Sequence, residues 1–86
     1  MKHATPIALA QLERLLAQLR LLPMKEKTRG VFYVKSRAFL HFHEDKAGLF
    51  ADIRAPDDIN FDRFKVDEKS GADALLAAAR DRLVVK

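Results

Sequence analysis

Residues 39–54, FLHFHEDKAGLFADIR, alternate apolar and polar side chains on both sides of a turn-forming segment at 44–48. Strict alternation is typical of a half-buried strand, so the pattern predicts a β-hairpin. One face of this hairpin is apolar and carries Leu40, Phe42, Leu49, Ala51 and Ile53. The second face carries Phe39, His41, His43, Phe50, Asp52 and Arg54. Because the second face mixes imidazoles, opposite charges and aromatic rings, it is where we look for function.

Two amphipathic helices are predicted on either side of the strands. The first covers 6–22, since Thr5 suits an N-cap, Pro6 suits the first helical position, and leucines recur at spacings of three and four. The second covers 71–83, with Ala72, Leu76, Ala79 and Leu83 on one face. Each apolar stripe must be buried, and the apolar sheet face is the surface available to both helices.

Three further segments complete the predicted sheet. Residues 31–35 read as a strand that a turn at 36–37 joins to the hairpin, and 61–66 reads as a shorter fourth strand, whereas 24–29 reads as a connector. In the expected registers Phe32 faces His41, Val34 faces Phe39, and His41 faces Asp52. The predicted fold is an α+β two-layer sandwich of order α-β-β-β-(β)-α, whose antiparallel meander over 31–66 packs on both helices.

Composition limits the class of protein. The 86 residues, 49% hydrophobic and 33% charged, predict one globular domain over 1–86. The chain has no cysteine, which excludes disulfides and cysteine-ligated zinc. No apolar run reaches the roughly 20 residues that span a bilayer, so we expect a cytoplasmic protein without membrane contact.

The second face of the hairpin favours a binding or homodimerisation module. In the expected registers Phe32, Val34, Phe39 and Phe50 form an apolar strip, which monomers seldom leave exposed. A second copy of the chain, another protein or a small molecule would cover it. The residues of this predicted binding face are Phe32, Phe39, His41, His43, Phe50, Asp52 and Arg54.

Nucleic-acid binding is an alternative, because the net charge is +4 and basic residues cluster over 24–37. The candidate phosphate-binding residues are Lys25, Lys27, Arg29, Lys35 and Arg37. Sheet-based RNA binders stack bases on exposed aromatic rings, which the same face could offer. Against this hypothesis, no RNP-like motif is present, and Asp52 would lie in the middle of the platform.

A divalent-metal site at His41, His43 and Asp52 is a second alternative, because imidazole nitrogens and a carboxylate are ligands for such ions. No third histidine is expected nearby, since His3 lies in a terminus that we expect to be mobile. Catalysis is not expected, because no nucleophile accompanies the His-Asp pair and no glycine-rich phosphate loop is present. No cofactor is indicated.

The string FLHFHEDKAGLFADIR, followed by NFDRFKV and an Ala/Leu-rich last helix, resembles a group of short uncharacterised bacterial proteins over roughly residues 30–84. The order of elements is also similar to that of the YjbR/MmcQ-like proteins. These set a curved antiparallel sheet against helices and are described as DNA-binding-like. The resemblances imply a bacterial α+β domain and supply no catalytic residues.

Overall fold

The computed structural model describes the backbone of residues 2–84 and the side chains of residues 3–83. Its elements are β1 (Lys2–His3), α1 (Pro6–Gln11), α2 (Glu13–Leu19), β2 (Lys25–Thr28), β3 (Val31–Val34), β4 (Arg37–Asp45), β5 (Gly48–Arg54), β6 (Phe61–Lys65) and α3 (Lys69–Val84). Strands β2 to β6 form an antiparallel meander that packs on the helices. The predicted α+β sandwich is confirmed.

Strand β4, with nine residues, is longer than its neighbours and therefore pairs with two strands on one side. Strand β3 pairs with its first half, where Val31 faces His41. Strand β1 pairs with its second half, where His3 faces His43. The N-terminal residues thus continue the sheet beyond the end of β3, and β5 pairs with the other side of β4 from Leu40 to Asp45.

The core lies between one face of the sheet and the helices. Leu40, Phe42, Ala51 and Ile53 are buried there, as their alternation predicts. The helices contribute Leu9, Leu12, Leu15, Leu16, Leu19, Leu75, Leu76 and Ala79. None of the described helices is long and apolar enough to cross a bilayer. We call the opposite face of the sheet the outer face.

The prediction of one continuous N-terminal helix over 6–22 is wrong, both because the helix is interrupted and because it ends earlier. Thr5 is the N-cap, accepting a bond from the Ala8 amide, but the helix breaks at Leu12 and α2 ends at Leu19. The Leu12 amide donates to the Leu9 carbonyl, a three-residue spacing that interrupts the α-helical ladder. Leu12 is nevertheless buried, so the break bends the helical segment without exposing its leucine.

Two other boundaries differ from the prediction. The connector expected over 24–29 contains β2, which pairs with β3 through a register shift. Its charged, alternating KEKT sequence is that of an edge strand protected by charge. Helix α3 begins at Lys69 instead of residue 71, and the Ala72 amide donates to the Glu68 carbonyl within its first turn.

The predicted register between β3 and β4 is wrong. The turn is Lys35-Ser36, both with positive φ, instead of 36–37. Phe32 faces Leu40 and Tyr33 faces Ala38, which leaves Phe39 as the extra residue of a β-bulge. As a result Phe32 and Phe39 are only 1% and 8% exposed and belong to the core.

Candidate functional site

Pairing of β4 with β5 sets the outer face, and here the predicted register is confirmed. His41 faces Asp52 and His43 faces Phe50. Because side chains alternate along a strand, burying Leu40 and Phe42 directs His41 and His43 to the outer face. Both histidines are partly buried, and the ring of Phe61 on β6 lies 5.3 Å from that of His41.

A third histidine joins them, which corrects the expectation that His3 is remote. Strand β1 places His3 opposite His43, and the Ala4 amide donates to the Phe42 carbonyl at 3.2 Å. The Thr5 amide then donates to the carboxylate of Glu44, which fixes the chain where it leaves β1. The three histidines of the chain, His3, His41 and His43, therefore form one group, which we call the imidazole cluster.

The rings of the imidazole cluster are close to one another. Ring centroids are 4.6 Å apart for His41 and His43, 5.4 Å for His3 and His43, and 6.2 Å for His3 and His41. The first pair meets edge to face. His3 is exposed, so the cluster is open to solvent on one side.

Asp52 forms the base of the cluster and is 8% exposed. Arg63, which faces it from β6, donates to both carboxylate oxygens at 2.8 and 2.9 Å. These bonds hold the pKa of Asp52 below its ordinary value, although burial opposes the shift. The Nε2 atom of His43 lies 3.3 Å from Oδ2 of the same carboxylate. Asp52 is thus ionised and held in place from two sides.

Two ring nitrogens of the cluster have unused hydrogen-bonding capacity. The Nδ1 atoms of His41 and His43 are buried, and neither has a hydrogen-bond partner among the described residues. When Nε2 of His43 carries the proton that faces Asp52, Nδ1 of that ring keeps a lone pair. Burial, followed by the charge of His43, lowers the pKa of His41 below its ordinary value. Neutral His41 is therefore favoured near pH 7.

One nitrogen from each of His41 and His43 and one oxygen from Asp52 all lie within 4.8 Å of one another. Around a tetrahedral zinc ion, with metal–ligand distances of about 2.0–2.1 Å, donor atoms are about 3.4 Å apart. The predicted metal-binding residues are thus brought together, and the His3 ring lies beside this group, 5.4 Å from that of His43.

The apolar strip predicted on this face is not formed. Phe32 and Phe39 are in the core because of the bulge, and Val34 packs against the core. Phe50 stays on the outer face, half-buried, with the cationic groups of Arg63 and Lys65 each 5.9 Å from its ring. The surface that favoured a homodimer is therefore absent from the described part of the chain.

The predicted nucleic-acid residues are dispersed. Lys25 and Lys27 lie on the edge strand β2, with Lys27 4.9 Å from the centre of the Tyr33 ring. Arg29 pairs with Glu13 of α2, and Lys35 lies in the β3–β4 turn. Phe32 and Phe39, the aromatic residues expected beside this basic stretch, are buried.

The basic residues nearest to the β3–β4 turn lie at the other end of the hairpin from the imidazole cluster. Arg37 pairs with Asp58. Arg54, predicted as part of the binding face, donates to the Ala38 carbonyl at 2.8 Å and lies over the Phe61 ring. The residues of the predicted binding face are thus divided between the imidazole cluster and the opposite end of the hairpin.

Two residues of the site were missed from the sequence. Strand β1 is only two residues long, which is too short to produce a periodic signal for His3. Arg63 had a usable signal, because placing Phe64 inward on the fourth strand places Arg63 outward, beside Asp52. Phe61, whose ring is 5.3 Å from that of His41, lies two residues before Arg63 on the same face.

Comparison with protein-family models, curated proteins and solved structures finds no match for this chain. The resemblances noted from the sequence therefore stay predictions, and the function is inferred from the geometry of the site.

The lowered pKa of His41 predicts a pH dependence of stability for the metal-free protein. The unfolded state binds a proton near the ordinary histidine pKa of about 6.5 and the folded state only at lower pH, so the free energy of unfolding falls as the pH drops below about 6.5. The groups that face His41 are His3, His43, Asp52 and Arg63. In His41→Gln the free energy of unfolding should decrease less between about pH 7.5 and pH 5 than in the wild type.

Urea denaturation at several pH values, with a chelator present, measures this difference. Asp52 does not interfere, because its lowered pKa costs stability only at more acidic pH, below its ordinary value. Identical pH profiles for the wild type and His41→Gln would show that burial of this ring carries no penalty for protonation.

Proposed function

We propose that the protein is a metal-binding module. The imidazole cluster binds one divalent late first-row transition metal ion, with Zn²⁺ as the reference ion, through His3, His41 and His43. Asp52 supports the site as the carboxylate behind His43. The observation that carries this proposal is the convergence of the three imidazoles on one open patch of the outer face.

The spacing of the rings supports three imidazole ligands. A metal–nitrogen distance of about 2.0–2.1 Å and tetrahedral angles place the ring centroids of three ligating histidines about 5 Å apart. The observed separations of 4.6, 5.4 and 6.2 Å lie on both sides of this value. Three protein ligands leave one coordination position for water or an exogenous ligand, and the exposed side of His3 gives access to it.

The chemistry of the ligands agrees with the spacing. A metal needs neutral imidazole, and the lowered pKa of His41 favours that form. The unpaired Nδ1 atoms of His41 and His43 supply lone pairs. Ligating histidines commonly donate their second ring N–H to a carboxylate, which orients the ring and raises its basicity. Asp52, 3.3 Å from Nε2 of His43, has this position.

Arg63 modifies the site. Its two hydrogen bonds neutralise Asp52 and leave the carboxylate less available to coordinate a metal directly. For this reason we assign Asp52 to the orientation of His43, and His3 to the third coordination position. The positive charge of Arg63 also repels a nearby divalent cation. Holding Asp52 in place with Arg63 therefore lowers the affinity of the site for metal.

Zinc titration tests the proposal directly. Protein without a polyhistidine tag, first treated with a chelator that is then removed, should bind one equivalent of Zn²⁺ by isothermal titration calorimetry. His3→Ala, His41→Ala and His43→Ala should each weaken binding at least about tenfold, because each removes a nitrogen donor. Phe61→Leu is the matched control, since it changes the neighbour of His41 and keeps every donor.

Retention of full zinc affinity in any of the three histidine variants would contradict the proposal, as would the absence of binding by the wild type. Circular dichroism of each variant confirms that a lost affinity does not come from unfolding.

Replacing Arg63 should strengthen metal binding. In Arg63→Gln a positive charge beside the site is removed and Asp52 becomes free to coordinate, so we expect the zinc dissociation constant to fall about tenfold. Lys65→Gln is the control, because Lys65 lies on the same strand and pairs with Asp67 instead of Asp52. Weaker binding by Arg63→Gln than by Lys65→Gln would instead mean that the site requires the orientation Arg63 imposes on Asp52.

A further inference from the structure

A cavity of about 330 Å³ lies at the opposite end of the hairpin from the imidazole cluster. The β3–β4 turn, the loop after β5 and the end of α3 surround it. Its basic lining residues are Lys35, Arg37, Arg54 and Arg82. Its volume is at the lower end of the range for small-molecule sites, about 300–1,000 Å³. The size is that of a small metabolite.

The cavity combines positive charge with an apolar wall. Phe39, Val34, Pro56 and Leu83 line it, and Asp58 is its one acidic lining residue. The Phe39 ring is presented here because the β-bulge turns it away from the outer face. Ligand sites typically have this character, with apolar walls and a few polar groups that fix orientation.

Two of the arginines are fixed by the fold. Arg54 donates to the carbonyls of Ala38 and Asp58, at 2.8 and 3.2 Å. Arg82 donates to the Arg54 carbonyl at 2.9 Å and pairs with Asp62 at 2.7 Å. Their side chains are only 16% and 17% exposed. Hydrogen bonds to backbone carbonyls hold the Arg54 guanidinium in place without neutralising its charge.

Asp58 supplies the only internal counter-charge for Arg37 and Arg54 in this described cavity. Its carboxylate pairs with Arg37 and lies 3.9 Å from Nε of Arg54. The Asp58 side chain is 60% exposed, and its backbone has a φ of 64°, a left-handed conformation that aspartate and asparagine tolerate better than most residues with a side chain. Exposed ion pairs contribute little, about 0–1 kcal/mol. An external anion can therefore replace this carboxylate.

We propose that this cavity binds a small amphipathic carboxylate. The carboxylate group contacts Arg37 and Arg54 in place of Asp58, since arginine recognises carboxylates through paired N–H donors. The apolar part of the ligand packs on Phe39 and Leu83. Asp58 acts as an internal competitor that occupies the arginines in the absence of ligand. This site is separate from the imidazole cluster and does not depend on metal binding.

Octanoate is the probe, and two-dimensional ¹H–¹⁵N NMR of the full chain is the measurement. Octanoate should cause saturable shifts at the amides of Phe39, Ala55 and Leu83. Acetate keeps the charge without the apolar body, and 1-octanol keeps the apolar body without the charge, so each should bind at least about tenfold more weakly. Equal affinity for octanoate and either analogue would overturn the proposal.

Three variants assign the contacts. Arg37→Gln should weaken octanoate binding about fivefold or more, because a charged hydrogen-bond partner is lost. Asp58→Asn should strengthen it about threefold or more, because the competing charge is removed and asparagine tolerates the positive φ. Arg29→Gln is the control, since Arg29 pairs with Glu13 away from the cavity.

Unchanged or weaker octanoate binding by Asp58→Asn would overturn the role given to Asp58. Octanoate shifts confined to His3, His41 and His43 would overturn the location of the site. The spectrum of each variant shows whether it is folded, so a loss of binding cannot be confused with a loss of structure.

Discussion

The pairing of β4 with β5 is the constraint on which the site depends. Leu40 and Phe42 alternate with His41 and His43, and a shift of one residue would place both imidazoles among the helix leucines. Burying a pair of imidazoles there would cost free energy, and so would exposing Leu40 and Phe42. The core therefore fixes the register, and the register in turn fixes the positions of the imidazole rings beside Asp52.

Asp52 then determines the electrostatics of the outer face. A carboxylate that is 8% exposed needs partners, and Arg63 and His43 provide them from the two neighbouring strands. The same carboxylate lies 3.3 Å from Nε2 of His43, whose Nδ1 atom has no hydrogen-bond partner among the described residues. Structural stability and the proposed metal chemistry thus share one carboxylate. The cavity lined by Arg54 follows from a different feature, the bulge at Phe39, so the two proposed sites depend on different parts of the hairpin.

The sequence predicted those parts of the fold that have a repeating pattern. Alternation over 39–54 predicted the correct register of His41 and Asp52. The bulge at Phe39 has no periodic signal, because an extra residue breaks the very alternation that prediction relies on.

The long-range contacts that short segments make could not be predicted from the sequence either. Strand β1 pairs with β4 over only two residues, and the chain after it is held by a hydrogen bond from the Ala4 amide to the Phe42 carbonyl. No local sequence pattern indicates this contact. The turn Lys35-Ser36 likewise lacks the Asn or Gly that usually marks positive φ. The candidate metal site was therefore predicted in part, with His41, His43 and Asp52 but without His3 and Arg63.

The central claim is that three imidazoles from β1 and β4 bind one metal ion. X-ray absorption at the zinc edge, on protein loaded with one equivalent of Zn²⁺, tests it most directly because it counts ligands by type. The account predicts three imidazole nitrogens at about 2.0–2.1 Å and one further light-atom ligand. Coordination by oxygen alone, or by fewer than three imidazoles, would contradict it.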